Sequence, residues 1–127
     1  MQRFRNTQYT DLNMRFIASE LIREEVFKQM QQEIPYSAAV TIDRFKEPRE
    51  GQRITEIAAT IIVEKDSQKG MVIGKGGARI KAIGRAARQK IEEMVGSQVF
   101  LELNVRVEKN WTKDDNRLRE LGYKIGE

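Results

Sequence analysis

The sequence predicts an α+β domain in which helices cover one face of a three-stranded sheet, in the order α-β-β-α-α-β-α. Three observations carry that prediction: apolar residues recur near helical spacing over 14–34 and again over 80–94, residues 99–107 alternate strictly, and residues 54–64 are rich in β-branched side chains. A length of 127 residues suits a single core with short extensions.

Each element follows from its own residues. Residues 1–10 show little periodicity and read as a tail or an interdomain linker. From Asp11, an expected N-cap, the apolar positions Met14, Ile17, Ala18, Leu21, Ile22, Met30 and Ile34 define a helix with one buried face, stopped by Pro35. Ala38, Val40 and Ile42 then alternate with smaller or polar residues as a first strand, which ends before the breaker-rich 46–51. Ile57, Thr60, Ile61, Ile62 and Val63 make a second strand, expected to be covered on both faces near its end. Asp66 or Ser67 can cap a short helix to about Ile73. A longer helix begins at Ala78 with Ile80, Ile83, Ala87, Ile91 and Met94 on its apolar face, and Gly96 closes it. Val99, Leu101, Leu103, Val105 and Val107 alternate with Phe100, Glu102, Asn104 and Arg106 as a half-buried strand. Trp111 to Tyr123 reads as one last short helix ending at Gly122. Trp111, Phe16 and Phe100 are expected to be packing anchors, with stacking on a base as the alternative. The domain is thus placed at 11–123, with a tail at 124–127.

Composition narrows the chemistry. The chain has no Cys and no His, which excludes a disulfide framework, a Cys/His zinc site, a thiol nucleophile and a histidine general base. The acidic residues are scattered, no carboxylate pair or metal-binding cluster can be read, and no cofactor or metal is expected. No apolar run approaches the ~20 residues of a spanning helix, and a cytoplasmic chain is expected. A binding module is therefore the expectation, not an enzyme.

Charge says what it binds. Residues 1–64 carry nine basic and ten acidic side chains and residues 91–127 carry six and eight, whereas residues 65–90 carry eight basic against one acidic. The middle 26 residues thus hold +7 of a net +4, an asymmetry that fits a polyanion docking on one patch. Within them Lys81, Arg85 and Arg88 are spaced by four and three, a stripe separate from the apolar face of their helix.

That segment also contains Val72-Ile73-Gly74-Lys75-Gly76-Gly77-Ala78-Arg79-Ile80-Lys81, with three glycines in four residues between two helices. So much glycine implies a backbone path, or an approach to the backbone, that side chains would block. A phosphate chain suits it, because helix N-terminal N–H groups attract anions and Lys75 adds a charge. A Walker loop would need Gly where Lys69 stands and Ser or Thr at Gly76; a dinucleotide fingerprint would need Gly at Arg79.

Helix–Gly-x-x-Gly–helix with a basic loop residue resembles the loop with which KH domains clamp about four nucleotides of single-stranded nucleic acid. The order of elements resembles a type II KH domain, whose sheet is mixed. The likeness extends to Arg15-Phe16-Ile17-Ala18-Ser19-Glu20-Leu21-Ile22-Arg23-Glu24, Ile34-Pro35-Tyr36-Ser37, Ser67-Gln68-Lys69-Gly70 and Leu121-Gly122-Tyr123, which are similar to the C-terminal domain of the Era family of ribosome-assembly GTPases. Tyr36 departs from that family's usual Pro-His-Ser pattern, and no nucleotide-binding signature occurs in the chain.

The resemblance implies binding of single-stranded RNA near the 3′ end of small-subunit ribosomal RNA, with the small subunit and the parent's GTPase domain as partners and no DNA specificity. It also implies that GTP hydrolysis belongs to another part of the parent, itself cytoplasmic or peripheral to the inner membrane. The expected contacts are Gly74, Gly76 and Gly77 for the sugar-phosphate chain, Lys75, Arg79 and Lys81 for charge, and Ile73 and Ile80 as an apolar floor beneath bases. Lys69, Val72, Arg85 and Arg88 are further candidates. Ile73 and Ile80 also fit a core role, and Arg85 and Arg88 a solvated face. The alternative function is a KH-fold docking module that holds an acidic protein partner.

Overall fold

A computed structural model describes residues 11–30 and 38–122. The expected stop at Pro35, with Ile34, Tyr36, Ser37 and Tyr123, and the flanks 1–10 and 124–127 lie outside the described residues.

Helix α1 (Asp11–Met30) is followed by β1 (Ala39–Lys46), β2 (Ile54–Val63), α2 (Asp66–Ile73), α3 (Ala78–Val95), β3 (Gln98–Val107) and α4 (Asp115–Glu120). The sheet order is β1-β2-β3, with β2 antiparallel to β1 and parallel to β3, so it is mixed as expected. A parallel neighbour requires a crossover, and α2 and α3 supply it. Being central, β2 is buried at every position from Ile57 to Val63.

Adjacent strand residues point to opposite faces, and the two faces are covered differently. On one, Ile57, Ala59, Ile61 and Val63 pack with Ala18, Ile22, Val26 and Met30 of α1, Val72 of α2, and Ile83, Ala87 and Ile91 of α3. Each Ile, Val or Met side chain among these contributes about 1.5–3 kcal/mol on burial. On the other face, Ile62 and Ala39 pack with Trp111, Leu118 and Leu121. The helices-on-one-face expectation therefore describes α1 to α3, while α4 and the preceding turn sit on the opposite face.

That terminal segment is also two pieces, not one helix. A 3₁₀ turn (Trp111–Lys113) buries Trp111, and α4 restarts where the Asp114 carboxylate accepts the Arg117 backbone N–H at 3.1 Å. Arg117 then donates from Nε and Nη2 to the two oxygens of Glu108, both at 2.7 Å. This bidentate pair, aided by Arg106, holds the Glu108 carboxyl below the usual carboxylate range and raises the Arg117 guanidinium.

Two expected anchors are not anchors. Phe16 is 61% exposed and Phe100 56%. Phe16 lies two residues, just over half a turn, from the Ala18–Ile22–Val26–Met30 line, and Phe100 occupies the outward register of β3. Helix α2 begins after Lys65, one residue before the expected caps. The Gln68 side-chain oxygen accepts the backbone N–H groups of Glu64 and Lys65 at 2.9 and 3.1 Å and does the capping.

Helices α1 and α3 are clamped by charge as well as by packing. Glu25, 4% exposed, accepts Lys90 Nζ at 2.8 Å, and this contact holds the Lys90 ammonium above its ordinary value. Among the described residues no helix is long and apolar enough to cross a membrane.

Candidate nucleic-acid interface

The site is built where α2 stops and α3 starts. Gly74 ends α2 with its N–H donating to the Gly70 carbonyl at 2.9 Å, at φ 76°, ψ 175°, a backbone region reserved for glycine. A Cβ placed there would meet Arg79 Cβ at 2.7 Å and Arg79 N at 2.9 Å, so the first glycine also allows the two helices to approach. Lys75–Gly77 form one 3₁₀ turn closed by Gly77 N–H to the Gly74 carbonyl at 3.1 Å, and both Gly76 and Gly77 have positive φ. A Cβ at either would meet nothing within 4 Å. The last two glycines therefore serve the turn and leave its outer side bare.

Helix α3 leaves this loop with no side-chain cap and no acidic residue in its first turn. The Ala78 N–H donates to the Lys75 carbonyl, and the remaining N-terminal N–H groups with the positive end of the dipole make this the anion-attracting end of the helix. Lys75 and Gly76 are exposed beside them.

Below the loop, α3 and the edge strand β3 enclose a cleft of about 420 Å³ lined by Ile80, Lys81, Gly84, Arg85, Arg88, Leu101 and Leu103. The stripe read from spacing thus lies along one wall. Lys81 and Arg85 are exposed, and Arg88 is tied to Glu92 Oε2 at 3.2 Å. Glu92 also accepts the Val99 backbone N–H at 2.9 Å, closing the cleft where α3 turns into β3. Ile80 lines the cleft and, like Ile73, is half-buried outside the main core cluster.

Two expected site residues point elsewhere. Val72 is fully buried and packs in the core, because the inward face of α2 takes it, so it offers no surface to a ligand. Arg79 is half-buried and turns back toward the body of the domain, its Nη1 donating to Met30 Sδ at 3.2 Å and to the Met71 carbonyl at 3.4 Å. It precedes Lys81 by two positions, so it projects from nearly the opposite side of the helix. Lys69 is half-buried within α2 and does not line the cleft. Gly84, Leu101 and Leu103 were not among the expected contacts. An isolated glycine inside a helical pattern was the available signal.

A mixed three-stranded sheet crossed by two helices that meet at a Gly-x-x-Gly turn defines a type II KH domain. The model of the KH domain family matches residues 33–112, and the chain belongs to that family. Its relatives within it are GTPases: the chain is similar to GTPase Era of Geobacter metallireducens, 56% identical over 114 residues, and of Syntrophus aciditrophicus, 50% over 122. These alignments cover 90% and 96% of the chain but only 38% and 40% of the relatives, so the likeness is to the KH segment of Era. Two solved structures superimpose over 98% of this chain and 42% of theirs. One is an Aquifex aeolicus Era variant bound to GDP and AlF4−, with TM-score 0.83 and 35% identity; the other is Era in complex with MgGDPNP and nucleotides 1506–1542 of 16S ribosomal RNA, with TM-score 0.84 and 34% identity.

Proposed function

We propose that this chain binds single-stranded RNA, laying the sugar-phosphate chain against residues 74–77 and the bases in the α3–β3 cleft, with the 3′ end of small-subunit ribosomal RNA as target. The observation that carries the reading is the bare outer side of the loop at Gly76 and Gly77, beside Lys75 and an uncapped helix N-terminus. In this reading Lys75, Lys81 and Arg85 supply charge, Ile73 and Ile80 form the floor, and residues 11–123 act as one unit between short flanks at 1–10 and 124–127. Support for the target is the Era homologue solved with nucleotides 1506–1542 of 16S ribosomal RNA. The chain itself binds and does not catalyse. The parent would be a cytoplasmic GTPase assembling the small subunit, its hydrolysis residing outside these residues.

The test is Lys75→Asp combined with Gly76→Asp, since Asp tolerates the left-handed backbone at position 76 and adds charge where the phosphates would lie. Titrated with that RNA, the double variant should bind at least about a hundredfold more weakly, with unchanged circular dichroism. Unchanged affinity overturns the reading. A domain that holds polyglutamate as tightly as RNA would instead be the acidic-protein docking module.

A further inference from the structure

We propose that Gly84 is the point at which a nucleobase lies directly against the backbone of α3, so that this residue sets how close the base can come. The inference rests on the RNA-binding reading and goes beyond it, because it assigns a base subsite to a residue that the fold does not need.

Gly84 stands in the interior of α3, where glycine costs helix stability relative to alanine. Two structural reasons for tolerating that cost are missing. Its φ lies outside the left-handed range, so alanine would be unstrained, and an added Cβ would find only Leu103 Cδ1, at 3.5 Å, an ordinary contact. Neither the backbone nor the packing of the described residues requires glycine. What glycine does is keep open the part of the cleft between α3 and Leu103, with Lys81 and Arg85 at its rim and Ile80 and Leu101 beside it. Such a cleft, with aliphatic surface from Ile80, Leu101 and Leu103 and cations along its rim, suits a flat heteroaromatic ring whose phosphate stays outside. Seven residues after Gly77, Gly84 lies two turns along nearly the same side of the helix, about 10 Å from the loop. A strand held at 74–77 and running along α3 therefore passes over it.

Stability and binding should consequently respond to Gly84→Ala with opposite signs. In the 127-residue chain, the melting temperature should rise by about 3–5 °C. Affinity for RNA of nucleotides 1506–1542 should fall by about fivefold or more, and Gly84→Leu should lower it by about a hundredfold. The slope of log affinity against log salt should stay at the wild-type value, since no phosphate contact is removed. In the unsubstituted chain, RNA should shift the amide resonances of Gly84 and Leu103. Gly84→Ala that binds as tightly as wild type, or that melts lower, overturns the assignment, as do silent amides at both positions. If those results come with loss of binding in the Lys75→Asp, Gly76→Asp variant, only the Gly84 assignment falls. If the wild-type chain does not bind the RNA, the functional reading falls with it.

Discussion

Both outer strands of the sheet have a helix alongside, yet the two edges are finished in opposite ways. Beside β1, α1 directs two arginines onto the strand and its entry: Arg15 donates to the Ile42 carbonyl at 3.4 Å and Arg23 to the carbonyl of Ala38, the residue before β1, at 3.2 Å, with the Arg23 guanidinium 4.7 Å from the centre of the Phe27 ring. Beside β3, α3 also carries cations, but Lys81 and Arg85 line the cleft as exposed side chains, and at the closed end it is a carboxylate, Glu92, that accepts the Val99 N–H of the strand. An unprotected strand edge invites pairing with another chain, and side chains spent on β1 blunt that hazard. The difference teaches that charge type alone does not mark a binding surface. Arginines engaged by the domain's own carbonyls support the fold, whereas cations lining an open cleft remain for a ligand.

Breaking the open side at its hinge should have the largest effect. Gly74→Ala places a Cβ 2.7 Å from Arg79 Cβ on a glycine-only backbone, so α2 and α3 must move apart or the loop must change its path. The expected cost is about 2–4 kcal/mol, combining backbone strain with overpacking, read as a lower urea midpoint. RNA binding should be lost in the same variant under conditions where it is still folded. A stable Gly74→Ala domain with wild-type affinity would show that the loop geometry is incidental.

A smaller effect sharpens the contrast between the edges. Arg23→Ala removes the Ala38 contact and the cation–ring contact, for an expected loss of about 1–2 kcal/mol in stability, with the salt slope of RNA binding unchanged. Arg85→Ala should do the reverse: stability stays within about 0.5 kcal/mol, while the log–log salt slope flattens by about 0.7. Thermal melts and salt titrations of the two variants decide the matter, and a crossed result would erase the distinction between the edges.

Much of this was legible in local patterns and little of it in long-range ones. The alternation of β3 and the Ile83–Ala87–Ile91 face of α3 are short-period signals, and both appear as read. The position of Phe100 was implied by that same alternation, which places it opposite Val99 and Leu101, so expecting an anchor there weighed its size over its register. The burial of Trp111 was foreseen, but its partners Ala39 and Ile62 are distant in sequence and no periodicity could name the face they share. At the interface, the glycines announced a bare turn. Arg79 looked like part of the basic cluster because composition counts charges without direction, and only its contacts with Met30 and Met71 reveal that it braces the loop from behind.

The closed end of the cleft offers the finest test of the comparison, because there the two behaviours meet in one residue. Arg88 lines the open cleft, as Arg85 does, but is also held by a carboxylate of its own domain, as the α1 arginines are held by carbonyls. Glu92→Gln should keep the single oxygen that accepts both the Val99 N–H and Arg88 Nη1 but remove the negative charge that holds the guanidinium, freeing it to turn toward a phosphate. Both partners are partly exposed, so the ion pair is worth at most about 1 kcal/mol, and RNA affinity should rise by no more than about fivefold. The salt slope should steepen by up to about 0.7 as Arg88 gains a phosphate. The same substitution in an Arg88→Ala background should then change nothing, since the released cation is absent. A gain that persists without Arg88 would mean that Glu92 acts through the general field of the cleft, and Arg88 would then belong with the arginines that serve the fold.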